Sequence, residues 1–346
     1  MSTDAGFTAL LAVAQSLVGI GSALRLHELS HDEVEAYLTK NADALNRARE
    51  VLRGGCAVVV EYTREFYEWY WPACCDLCKL GECFCLSARH AARRGDVEQA
   101  VRDGLAALDL AVALRRGGLN TGRLVGLTIE GMAIGRLRRI HRRLHAAAAR
   151  HLARELLRID AVRESHDDIM DRDRRWEDAT GMSEEDADFM SMEWPEDIRE
   201  QIDEEDELSL RSAMQDLADM PDEERNELQR RVDDRDLTLL RLLAIESALV
   251  AFVRDHGQPP AALEALVPDD LSRLPLAPFT EKPFRYSSTD GDCLVYSPGP
   301  TGVDHGGRCG SWFEVEAGEA DLCLTMNDYR CCYDDDCNDD TAQDAD

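Results

Sequence analysis

The sequence predicts an α+β protein with a mainly α-helical N-terminal domain, followed by a small domain built from a spine helix and a short antiparallel β-sheet. Three observations predict it. Apolar residues recur at helical spacing through the first 160 positions; a strongly acidic block interrupts them; beyond Asp236 the chain changes to one long amphipathic stretch and then to proline, glycine and alternating apolar residues. The expected organisation is a helical domain over 1–163, an acidic linker with short helices over 164–236, the α+β domain over 237–327 and an acidic, cysteine-containing tail over 328–346.

The first helix is expected in "GFTALLAVAQSLVGIGSALRL", where Phe7, Leu10, Leu11, Ala14, Leu17, Val18 and Ile20 form an apolar face. An amphipathic core helix explains these letters better than export or anchoring, because Asp4 stands where a leader has Lys or Arg and Gln15 interrupts the run. Ser30 and Glu33 form a capping-box pattern for a second helix with a stripe at Val34, Tyr37, Leu38, Ala42, Leu45 and Ala48. A third helix is expected from Cys56, carrying Val59, Tyr62, Phe66 and Tyr70, and ending at Pro72. Trp69 and Trp71 fit helix packing better than a ligand cage.

Gly95 and Asp96 separate the next two helices, with Asp96 as N-cap and Val97, Val101, Leu105, Leu108 and Val112 on one face. After Gly117 and Gly118, one helix is expected from Thr121 towards Ile159, with Gly126, Gly131 and Gly135 admitting a close neighbour. Its arginines 136, 138, 139, 142 and 143, interleaved with His141 and His145, fit a face answering the acidic segment better than a phosphate-binding helix, since no stacking aromatics accompany them. The helix–"GD"–helix stretch resembles a single tetratricopeptide-type hairpin, which implies helix-hairpin packing; no second copy follows at that period.

Charge is unevenly spread. The net charge is -30, yet residues 1–163 carry 23 Lys and Arg against 19 Asp and Glu, residues 164–236 carry 9 against 29, and residues 237–346 carry 7 against 21. A net field of that sign repels phosphate, so nucleic acid is excluded as a partner, while protein partners are expected and membrane association stays open. Carboxylates so numerous in the middle block argue against a tuned acid–base pair there. "RGGLNTGR" lacks a P-loop lysine, and the chain has neither a Gly-x-Ser-x-Gly elbow nor His-Glu-x-x-His, which favours a non-enzymatic protein.

Five of the twelve cysteines cluster in "ACCDLCKLGECFC" and three in "YRCCYDDDC". Cys75, Cys78, Cys83 and Cys85 have a spacing open to zinc or to disulfides, with structural crosslinks or buried thiols ranked first, zinc second and redox chemistry at Cys75 and Cys78 last. An oxidising compartment favours disulfides and a reducing one a metal.

Beyond the long helix come Gly257, Pro259, Leu274, Pro275, Ala277, Pro278, Phe279, Pro283, Tyr286, Tyr296, Ser297, Gly299, Gly302, Gly306 and Gly307. In that order, over residues 239–307, they resemble the globular domain of the major pseudopilins of type II secretion. The residues themselves predict a long amphipathic helix stopped at Gly257, a short helix at Ala261–Leu266 and a hairpin of Phe284–Tyr286 with Leu294–Tyr296 around "STDGD", and the resemblance fits a location at the cell envelope, with the cytoplasm as the alternative. It also implies a calcium loop, for which Asp304, Glu319 and Asp321 are the candidate ligands. Two positions depart from the family: Thr301 replaces an aspartate of that loop, and Leu11 stands where the family has its membrane-assembly glutamate. The function expected is structural or protein-interaction, the alternative being a cytoplasmic zinc- or thiol-dependent protein using the first cysteine cluster.

Overall fold

The computed structural model describes residues 4–19, 30–182, 220–289 and 292–324. Helices α1 (Ala5–Gln15), α2 (His31–Arg53), α3 (Arg64–Arg93), α4 (Val97–Arg115), α5 (Asn120–Ile140), α6 (Ala146–Val162) and α7 (His166–Thr180) precede the long α8 (Asp222–His256). A 3-10 turn (Leu263–Leu266), strands β1 (Leu276–Ala277), β2 (Lys282–Pro283), β3 (Arg285–Thr289) and β4 (Asp292–Pro298), the short α9 (Trp312–Glu316) and β5 (Asp321–Cys323) complete the described chain. The fold is thus mainly helical, with a small antiparallel β region at its C-terminal end.

The Asp4 carboxylate caps α1 by accepting from the backbone N–H groups of Gly6 (2.6 Å) and Phe7 (3.3 Å). Phe7, Leu10, Leu11, Val13 and Ala14 are buried, as a core helix requires, but Val18 lies past the helix end and is exposed. Ile20 lies outside the described residues. Among the described residues no helix is long and apolar enough to cross a membrane.

Ser30 and Glu33 do form the capping box of α2. The buried stripe differs at one place: Ala42 is exposed and Asn41 is buried. Asn41 accepts from the Val18 N–H (2.9 Å) and donates to the carbonyls of Val18 and Tyr37 (both 3.0 Å), so its amide satisfies the chain leaving α1.

The third helix starts later and runs further than the sequence suggests. Cys56–Val60 lies outside any helix, with the Val58 N–H donating to the Arg116 carbonyl at 2.8 Å, and Thr63 caps the helix at the Phe66 N–H. Pro72 lies inside α3, which continues to Arg93 and carries the whole first cysteine cluster. A proline there removes one helical hydrogen bond; burial of Phe66, Tyr67, Tyr70, Ala73, Cys74 and Leu77 on either side holds the helix together.

Asp96 caps α4 as expected, accepting from the Gln99 N–H at 3.0 Å. Helix α5 crosses its neighbours closely at two glycines. A Cβ on Gly126 would stand 2.9 Å from the Ala111 carbonyl oxygen, and one on Gly122 would stand 2.0 Å from the Tyr70 hydroxyl. Gly135, by contrast, faces open space. The expected single helix towards Ile159 is two: α5 stops at Ile140, His141–Arg143 form a 3-10 turn, Leu144 is extended and His145 caps α6 through Nδ1 at the Ala148 N–H (3.3 Å). That break turns α6 back to lie along α8.

Helix α8 is 35 residues long and ends at Gly257 in the left-handed region (φ 77°). It begins inside the segment expected as linker, so the 236/237 boundary falls within a helix. One continuous hydrophobic core joins Phe7 to Leu324, with Leu239, Leu240, Leu242, Leu243, Ile245 and Leu249 of α8 in it.

Strands β3, β4 and β5 form an antiparallel sheet in that order, with Tyr286 opposite Val295 and Tyr296 opposite Cys323. The expected hairpin is therefore present; its turn residues Asp290 and Gly291 lie outside the described residues. The Tyr286 hydroxyl donates to the Pro260 carbonyl at 2.8 Å and ties β3 to the break after α8. Neither β5 nor α9 is expected from the sequence. Ser311 and Glu314 cap α9 reciprocally, and Trp312 stacks on Phe279 (6.0 Å) beneath the Arg235 guanidinium (5.3 Å).

Candidate functional site

The cysteine cluster is a helix face. On a continuous helix, Cys75 and Cys85 are separated by about 15 Å of axial rise, whereas one tetrahedral zinc needs four sulfurs each about 2.3 Å from it. Cys75, Cys78, Cys83 and Cys85 therefore do not fit a shared zinc ion, and among the described residues no group of three or more His, Cys, Asp or Glu is arranged to hold a metal. The knuckle spacing has zinc-binding meaning only in a loop, and α3 gives these residues none.

Their surroundings suppress thiolate chemistry. Burial pushes the Cys83 thiol up to about 12, partly offset by its hydrogen bond with Tyr37. Burial and then the Asp4 charge raise Cys56 to about 11. Cys78 is raised further, by burial first and then by Glu82, whose Oε1 lies 4.0 Å from its sulfur. Burial also lifts the Glu82 carboxyl to about 7, and its Oε2 has no hydrogen-bond partner among the described residues. Such thiols are poor nucleophiles at neutral pH.

The disulfide among the described residues joins two cysteines outside both clusters, Cys309 and Cys323. It links the loop before α9 to β5. Cys331, Cys332 and Cys337 lie outside the described residues.

The calcium candidates are held by donors. Asp321 is fully buried at the start of β5, and its carboxylate accepts from the backbone N–H groups of His305 (3.1 Å) and Gly307 (2.8 Å). Asp304 Oδ1 accepts from the Gly306 N–H (2.9 Å) and the Tyr296 hydroxyl (3.1 Å), while its Oδ2 faces Arg285 Nε at 3.2 Å. The Gly306 N–H leads the effects that hold the Asp304 carboxyl below its usual range. Glu319 is exposed. Calcium needs six to eight oxygens directed at one point; here the carboxylate oxygens point at N–H and O–H groups. These residues do not fit a calcium ion. Asp304 and Asp321 instead fold the glycine-rich loop around themselves.

A third constellation escaped the sequence reading. Arg115 at the end of α4, Arg123 in the first turn of α5, Arg163 after α6 and His166 at the start of α7 converge on Asp233 of α8. Asp233 Oδ1 accepts from Arg115 Nη2 (2.7 Å) and Arg163 Nη2 (3.3 Å), and Oδ2 from Arg123 Nη1 (2.9 Å), with His166 Nδ1 at 3.1 Å. The second ring nitrogen of His166 lies 2.6 Å from Asn226 Oδ1, and Arg163 also pairs with buried Glu130. Arg115 and Arg123 are 1% and 0% exposed. Burial alone would raise the Asp233 carboxyl, but the His166 hydrogen bond and the three guanidinium groups outweigh it and hold it well below the usual carboxylate range. A carboxylate kept ionised in this way takes no part in proton transfer; it is an ionic lock between five elements.

The same logic extends along α8. Arg241 grips Asp160 through Nε (3.1 Å) and Nη2 (2.8 Å), and Arg150 pairs with Asp270 (2.7 Å) and Asp255 (2.6 Å). Glu246 receives His141 (3.2 Å) and Arg142 (3.5 Å), and Arg138 donates to the Leu324 carbonyl at 3.3 Å. Within the basic run, His141 and Arg142 meet Glu246 of α8 and Arg138 meets the Leu324 carbonyl, all beyond the acidic block, while His145 meets Glu98 of α4.

Searches of family models, of curated proteins and of solved structures found no significant match to this chain.

Proposed function

We propose that this chain is a non-enzymatic protein-interaction protein of the cell envelope, in which a helical body carries a pseudopilin-like module. The observation that carries the proposal is the module's closure by Cys309–Cys323, since disulfides persist in oxidising compartments. The order of elements supports it as well. A long helix ending at Gly257, a short turn at Leu263–Leu266, a proline corner and an antiparallel sheet against the helix follow one another as the resemblance implies. With α8 shared between body and module through one core, partner binding at the module would be transmitted to the helices as a rigid unit.

Fractionation of native cells with differential alkylation tests this. The expected result is recovery with the envelope fraction, with Cys309 and Cys323 alkylated only after reduction. A wholly cytosolic protein with both thiols open to reagent would overturn the reading.

A further inference from the structure

We propose that His31 and His90 form a bis-imidazole site for a divalent transition-metal ion of the zinc, nickel or copper class, bridging the start of α2 and the end of α3. The two rings lie tilted to one another, with centroids 4.8 Å apart and planes inclined at 45°. At that separation a nitrogen of each ring can reach one ion at the usual distance of about 2.0–2.1 Å. Imidazole is the ligand that this class of ion favours. His31 is exposed and His90 half-buried, so the pair opens to solvent and leaves further coordination positions to water.

His31, Arg94 and Arg93 are the groups facing the His90 ring. Glu35, one helical turn beyond His31, also faces this group; its carboxylate is held by Arg94 Nη1 at 3.3 Å, with both side chains more than half exposed. An ion pair so exposed is weak, and Arg94 is the group that competes with a metal, both by repelling a dication and by occupying Glu35. Arg93, in the last turn of α3, adds to that repulsion. Fixing α2 to α3 across 59 residues of sequence, the ion would bind the folded state and not the unfolded chain.

The test is calorimetric titration of the full, tag-free chain with nickel chloride in a non-chelating buffer near pH 7.5, paired with melting curves. The expected result is one ion per chain and a raised Tm. His31→Ala and His90→Gln should each weaken the affinity by at least about tenfold and abolish the Tm shift. Cys75→Ser with Cys78→Ser should leave binding unchanged, and Arg94→Ala should tighten it. A flat isotherm for the parent chain overturns the proposal, as does wild-type affinity in the two histidine variants. His31 is exposed at the first position of α2, so its variant decides the matter even if substitution at His90 disturbs packing.

Discussion

Replacing Asp233 by asparagine keeps the shape of the side chain and removes the one charge on which Arg115, Arg123, Arg163 and His166 converge. The guanidinium groups of Arg115 and Arg123 would stay buried, and Arg115 already has two N–H groups, at Nε and Nη1, without a hydrogen-bond partner among the described residues. Breaking a buried pair by removing one partner costs about 3–5 kcal/mol, because it strands the other charge. With a urea m-value of about 3 kcal/mol/M for a chain of this size, the midpoint should fall by about 1–2 M with m little changed. Circular dichroism during urea unfolding at pH 7 measures it. The pH dependence carries a sign. The folded-state carboxyl is depressed, so its stabilisation is fully present above the unfolded value of about 3.9 and is lost as pH falls from there towards the folded value. The gap between parent and variant should therefore narrow below about pH 4. Adding Arg115→Met to Asp233→Asn should cost less than the sum of the single changes, since the pair is in direct contact. A midpoint shift below about 0.3 M at pH 7, or a gap that does not narrow in acid, would refute the ionic lock.

Three further outcomes follow from the packing and the sites. Gly122→Ala should lower stability by about 1–3 kcal/mol in thermal melts, because the new Cβ meets the Tyr70 hydroxyl; alanine's better helix propensity would otherwise stabilise, so a raised Tm would show that α3 and α5 are not in contact there. Alkylation mapped by mass spectrometry at pH 7.5 should lag at Cys56, Cys78 and Cys83 and become fast in denaturant, since burial raises all three thiols; rapid labelling of the native chain would contradict that burial. Calcium chloride should leave the Tm where a chelator leaves it, because the oxygens of Asp304 and Asp321 are committed to hydrogen-bond donors; a calcium-dependent rise would restore the cation loop.

The parts of the fold legible in the sequence are those governed by local chemistry. The Ser30–Glu33 box, the Asp96 cap and the existence of the β3–β4 hairpin depend on neighbours in sequence or on a local turn signal. Features decided by distant contacts were not legible. Pro72 argues for a helix end, yet tertiary burial of Tyr70, Ala73 and Cys74 carries α3 past it. Strand β5 is three residues long, too short for alternation to show, and is fixed by pairing with β4 and by the Cys309 link. Of the candidate site residues, the cysteines and the loop aspartates lie on defined elements, but knuckle spacing presupposes a loop and calcium ligation presupposes carboxylates not already engaged. One signal was present for the Asp233 lock: Arg115 follows Ala111 by four residues on the buried face of α4, and an arginine continuing an apolar stripe calls for a buried counter-charge.

That counter-charge explains how a chain of net charge -30 keeps arginines in its interior. The front half is mildly basic; carboxylates within it answer Arg49, Arg94 and Arg158, while its buried Arg115 and Arg123 are answered from α8 by Asp233, and Glu246, Asp255 and Asp270 answer Arg142 and Arg150. Hydrophobic burial along Leu239–Leu249 brings α8 to the bundle without specifying its register, since leucine ridges pack in several shifts of one turn. The ionic contacts do specify it. Sliding α8 by one turn of about 5.4 Å would move Asp233 away from Arg115 and Arg123 and leave both buried without a counter-ion. Arg241, reaching back to Asp160, reverses the polarity of the same code: the cation is on α8 and the anion on α6. Charges of both signs at fixed heights along one helix define a single alignment, which is the best-attested use of buried ion pairs, and that alignment in turn fixes where the sheet at the end of α8 stands against the helical body.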